Sequence, residues 1–88
     1  RYTVMGNVAS PGIFYLDYPI TLVQVIARSG GFTEWANKEM TLVREKVGGQ
    51  ESELFEGNTM DFDYDRFISG KEINRNIAIR SGDIIIVH

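Results

Sequence analysis

The sequence predicts a small α+β domain built around one mixed sheet, and three observations predict it. Ser81-Gly82-Asp83 separates two apolar runs, Ile77–Ile79 and Ile84–Val87; β-branched runs favour strands and Gly-Asp between them favours a tight reversal. Pro11-Gly12 separates a second strand pair near the start of the chain. Between these two strand-turn units lies one helical pattern with a start signal and a stop signal.

In chain order, Tyr2–Val8 reads as a strand with Gly6 inside it, a bulge or a close backbone approach. Ile13–Leu16 is its partner across the Pro11-Gly12 turn. The helix opens at Thr21, where Gln24 completes a Thr-x-x-Gln capping box and Ile20 can staple onto Val25. Leu22, Val25, Ile26 and Ser29 follow helical spacing, Arg28 suits the last turn, and Gly30 supplies the left-handed residue that ends it. Phe32–Glu39 is a connector carrying Trp35.

Met40–Val47 is expected to be the third strand, with Met40, Leu42 and Arg44 on one face and Thr41, Val43 and Glu45 on the other. Gly48–Asn58 reads as an extended hairpin or surface insert, and Thr59–Phe62 pairs back onto the third strand. Asp63 can cap a short helix, Tyr64–Ser69, that Gly70 terminates. Lys71–Arg75 is a polar loop leading to the closing strand.

Eighty-eight residues with 43% apolar composition make one domain, residues 1–88, with a single core. The net charge is −3 and the nine Lys and Arg are scattered, which argues against a nucleic-acid module. With no cysteine there is no disulfide scaffold, thiolate cluster or Cys nucleophile. No apolar run approaches the roughly 20 residues of a membrane span, and no signal peptide is visible. The abrupt strand-like start and finish read as a domain excised from a larger protein, with any targeting signal outside it.

Taken together, Val4-x-Gly6-x-Val8-x-x-Pro11-Gly12, Thr21-Leu22, Ser29-Gly30-Gly31-Phe32-Thr33, Leu42-Val43-Arg44, Asp63-x-x-x-Phe67-Ile68-x-Gly70 and Asn76-Ile77 through Gly82-Asp83-Ile84-Ile85-x-Val87 resemble the soluble-ligand-binding β-grasp (SLBB) domain. The resemblance is to the form found in bacterial polysaccharide export proteins, and it runs through nearly the whole chain. His88 stands where that pattern usually has Pro. The resemblance implies a β-grasp fold, a mixed sheet on one main helix with a second short helix. It also implies a periplasmic location at the outer membrane, homo-oligomeric rings, weak contact with a passing polysaccharide, and no cofactor.

The residues that could meet a ligand are few. Tyr18 and Trp35 sit in connectors flanking the helix, where an aromatic face can stack on sugar C–H groups or simply cover a small core. Asn37 and Arg44 are polar companions for hydroxyls or carboxylates, although Arg44 reads equally well as a solvated strand residue. Gly6, Pro11, Gly12, Gly30, Gly31, Gly82 and Asp83 are read as structural; Gly30-Gly31 follow a helix, whereas a phosphate loop precedes one.

Asp61, Asp63, Asp65 and Glu72 fall at calcium-loop spacing. The position that needs Gly holds Arg66, however, and the alternative places Asp61 on a strand, Asp63 at a cap and Asp65 in a first helical turn. His88 is the single histidine and assembles no nucleophilic triad, and no acid pair sits in an apolar setting that would mark a glycosidase. Catalysis is not expected.

Overall fold

The computed structural model describes residues 1–88. Five strands, β1 (Tyr2–Gly6), β2 (Gly12–Phe14), β3 (Glu39–Val43), β4 (Thr59–Asp63) and β5 (Ile84–Val87), form one sheet in the order β2-β1-β5-β3-β4. The central neighbours β1 and β5 are parallel and every other pair is antiparallel. Helix α1 (Leu22–Arg28) buries Leu22, Val25 and Ile26 in one cluster with Val4, Leu42 and Ile85 of the sheet. A second helix, α2 (Tyr64–Ile68), follows β4. This is the expected β-grasp-like arrangement. No helix is long and apolar enough to cross a membrane.

Local chemistry sets the helix limits. Gln24 reaches back so that its Oε1 accepts the Thr21 N–H at 2.8 Å, one half of the capping box. At the other end Gly31 N–H donates to Ile26 O at 2.9 Å and Gly30 N–H to Ala27 O at 3.2 Å, with Gly30 at φ +82°. That pairing is a Schellman stop, which a residue with a Cβ adopts only under strain. The same stop docks on the β1–β2 loop, because Ala9 N–H donates to Gly31 O and Ser10 N–H to Ser29 O.

The close approach anticipated at Gly6 is present. Its φ is +96°, and a Cβ there would overlap the Val87 carbonyl oxygen. The ladder of β1 therefore ends at Gly6 rather than Val8, and Val8 makes an isolated bridge to Phe32.

Three expectations need correction. Ile77–Ile79 is not a strand hairpinned to β5, because both edges of β5 are taken by β1 and β3. Ile77 and Ile79 instead lie buried beside the start of α1, where Leu22 N–H donates to Ile77 O and Ile79 N–H to Ile20 O. The third strand stops at Val43, since Arg44 N–H turns to Asn58 O at 2.9 Å and Asn58 Nδ2 donates to the Arg44 and Glu45 carbonyls. The Gly48–Asn58 insert is no extended hairpin: Gly49–Leu54 is a 3-10 turn, and Phe55 behind it joins the core.

Candidate functional site

Two polar constellations lie at opposite ends of β3. The first is buried. Arg44 follows Leu42 on the inward face and is 3% exposed. Its Nε donates to Asp83 Oδ1 at 3.0 Å and its Nη2 to Asp83 Oδ2 at 2.7 Å, a two-pronged pair. Nη1 donates to Glu51 Oε2 at 2.9 Å and Nη2 also to Ala78 O at 3.0 Å, while the guanidinium carbon stands 5.4 Å from the Phe55 ring centre.

Asp83 is itself 1% exposed, and its Oδ2 further accepts the Arg80 N–H at 2.8 Å. The hydrogen bond to Asp83 raises the Arg44 pKa above its ordinary value despite the opposing cost of burial, with Glu51 adding to the effect. Arg44 is therefore neither a solvated strand residue nor open to a ligand. Its donors clamp β3, the insert and the turn before β5 to one another.

The second constellation is open. A cleft of about 410 Å³ lies where β3 and β4 meet the end of β5. Alternation puts Thr41 and Asp61 opposite each other on the outer face of the sheet. The Thr41 hydroxyl lies 2.8 Å from His88 Nε2 and 3.4 Å from Asp61 Oδ1. Glu39 and Asp63 continue the wall, and α2 and the following loop supply Arg66, Glu72 and Arg75. Glu72 receives Arg66 Nε at 2.6 Å and Arg75 Nε at 3.5 Å, and Arg75 Nη1 donates to the Asp61 carbonyl at 2.7 Å. Carboxylates, guanidinium groups, a hydroxyl and an imidazole offer donors and acceptors to a polyhydroxylated ring, and solvent reaches them all.

Of the carboxylates at calcium-loop spacing, Asp61, Asp63 and Glu72 border this cleft and Asp65 does not, and each has its own local role. Asp61 is on β4, Asp63 accepts the Arg66 N–H as the cap of α2, Asp65 lies in the first turn of that helix, and Glu72 faces two arginines. No three such side chains converge on a point that could hold a metal ion.

The aromatic residues singled out are on the surface. Tyr18 is 59% exposed with the Arg28 guanidinium 5.7 Å from its ring centre, and Trp35 is 77% exposed. Asn37, also exposed, donates its backbone N–H to His88 O at 2.8 Å. The connector bearing Trp35 is thereby moored at the end of β5, beside the cleft. Tyr18 is on the β2–α1 connector and Arg44 at the far end of β3, so the four residues do not form one site. Sequence reasoning missed the cleft. Strand alternation could have paired Thr41 with Asp61, but nothing local in the chain brings Arg66, Glu72 and Arg75 to them.

The sequence model of a family described as the SLBB domain matches residues 1–56, from β1 through the Gly49–Leu54 turn. No curated protein matches the chain.

Proposed function

Because the chain belongs to the SLBB domain family, we propose that it is a non-catalytic, saccharide-contacting and assembly domain of a protein exporting capsular or exopolysaccharide. In this reading it is one domain of a larger periplasmic protein that forms rings at the outer membrane. It touches the passing polymer weakly and repeatedly. Open, polar, exposed groups suit that work, because a deep pocket would hold the polymer in place instead of letting it pass. Net negative charge limits adhesion to acidic glycans.

The observation that carries the proposal is Trp35, 77% exposed on a connector tied to the rim of the polar cleft. An indole so placed can stack on the apolar face of a sugar whose hydroxyls reach the cleft. It is also the single tryptophan, so its fluorescence reports this place alone. Titration with neutral oligosaccharides of increasing length should shift the emission, with affinity rising as the chain lengthens. Trp35→Ala should abolish binding, followed by amide NMR shifts, and leave the melting temperature unchanged. Saccharides of every length leaving both emission and amide spectrum unmoved would overturn the reading.

The dimensions of the cleft favour a second reading, a module with one specific small ligand. That version requires a saturable calorimetric titration of fixed stoichiometry with no dependence on oligomer length.

A further inference from the structure

The charges of the open cleft are unevenly paired. Glu72 takes both of its arginines, with Oε1 accepting from Arg66 Nε at 2.6 Å and Oε2 facing Arg75 Nε at 3.5 Å. Neither guanidinium forms an ion pair with another carboxylate, and Arg75 Nη1 is held by the Asp61 carbonyl. Glu39, Asp61 and Asp63 line the same cleft and enter no ion pair at all. Lys38 and Lys71 adjoin Glu39 and Glu72 in the chain, yet neither lines the cleft.

Backbone conformation singles out the same residue. Lys38 and Glu72 are the residues other than glycine with positive φ, at +61° and +53°. A side chain with a Cβ is held there only where its surroundings impose it, and such residues gather at functional positions. At Glu72 this conformation opens the Ile73–Arg75 turn and accompanies the placing of one carboxylate against two guanidinium groups.

The cleft is left with carboxylates that nothing neutralises. Glu39 and Asp63 stand directly opposite each other across β3 and β4, with Asp61 opposite Thr41 beside them. Like charges opposite one another on a sheet repel, and an entering cation relieves that repulsion.

We propose that Glu72 sets the specificity of the cleft: by occupying Arg66 and Arg75 it disfavours uronic-acid units and reserves the site for amino-sugar units, whose ammonium group meets Glu39, Asp61 and Asp63. The inference rests on the saccharide reading above and names the class of sugar. A sugar hydroxyl can share the guanidinium groups with Glu72, because each has further N–H donors. A sugar carboxylate has to displace Glu72 and then faces the remaining acids.

Three tetramers of one chain length serve as probes, of glucosamine, of N-acetylglucosamine and of galacturonic acid. They are titrated at about pH 7, below the ordinary range of an amine, with binding followed by Trp35 emission and amide NMR. The glucosamine tetramer should bind several-fold tighter than the acetylated one, and the galacturonic acid tetramer weakest. Glu72→Gln keeps the shape of the side chain and frees both arginines. It should improve galacturonic acid binding by about five-fold, the strength of an exposed ion pair read as a ratio of affinities, and leave the neutral tetramer unchanged. Asp61→Asn should weaken the glucosamine tetramer several-fold without weakening the galacturonic acid one.

Galacturonic acid binding as tight as glucosamine in the unaltered chain overturns the proposal. So does a Glu72→Gln variant that changes all three affinities alike, since a purely structural role would act without regard to ligand charge. Should Glu72→Gln fail to fold, the Asp61→Asn ratio decides, and equal losses for all three tetramers overturn the proposal. If no tetramer of any class binds, the saccharide reading itself fails; if the neutral tetramer binds and the order of the other two is reversed, only this inference does.

Discussion

The two ends of β3 carry similar groups in opposite surroundings. At one end Arg44 and Asp83, with 4% and 2% of their side chains accessible, meet through two short parallel hydrogen bonds. At the other, Arg66 and Glu72 meet at 2.6 Å but remain 50% and 35% accessible. Water decides the difference. A buried ion pair has little solvent to fall back on: removing Arg44 strands the Asp83 carboxylate, removing Asp83 leaves the Arg44 charge to Glu51 alone, and the pair behaves as a structural clamp. An exposed pair exchanges freely with water or with a hydroxylated ligand, contributes little to stability, and remains available for recognition.

The largest test of this contrast is at the buried end. Asp83→Ala is expected to lower unfolding stability by about 3 kcal/mol, the low end of what breaking a buried pair costs because Glu51 still faces Arg44, as measured by urea denaturation. A loss below about 1 kcal/mol, the range of surface pairs, would mean that the clamp is no clamp. Gly6→Ala should cost at least the roughly 1–3 kcal/mol of a strained positive φ, because the new Cβ also overlaps the Val87 carbonyl oxygen.

At the open end, a double-mutant cycle of Arg66→Ala and Glu72→Ala should return a coupling of no more than about 1 kcal/mol, fading further in salt. A coupling as large as that of the buried pair would erase the distinction between the ends.

A smaller effect concerns Tyr2, whose hydroxyl is buried without a hydrogen-bond partner. Burial is the main cause that raises its pKa above the ordinary 10.0. The folded state thus favours the neutral phenol. Stability from this source is intact below about pH 10, the ordinary tyrosine range, and declines as pH rises toward the higher folded value. Tyr2→Phe should flatten that alkaline decline and leave stability at neutral pH unchanged or slightly raised, since it removes an unsatisfied polar group. Thermal melts of both proteins between neutral and alkaline pH check the sign.

How much of this was legible beforehand follows the range of the interactions. Helix α1 could be delimited residue by residue, because Thr21, Gln24 and Gly30 act within a turn or two of themselves. Asp63 at the start of α2 was readable for the same reason, as was the inward face shared by Met40 and Leu42. The misassigned Ile77–Ile79 shows the limit. Its composition is that of a strand, yet strand propensity measures how a residue packs, and both ladder positions beside β5 were already filled.

The site shows the same limit more sharply. Alternation along β3 was enough to turn Arg44 inward, but its partner Asp83 is 39 residues away, and no local pattern distinguishes that carboxylate from the eleven other acids. The cleft draws on β3, β4, the loop after α2 and His88, contributions that meet only once the strand order is set.

Near-neighbour chemistry in this chain therefore dictates where the helix caps and glycine turns fall, because those preferences are satisfied by atoms a few bonds apart. Which charged group is buried and paired, which stays wet, and which face of the sheet is left bare depend on contacts between distant segments. Those contacts exist only after the sheet has closed with β5 at its centre, since the change from water to protein interior is what converts one pair of opposite charges into a clamp and leaves another open to solvent.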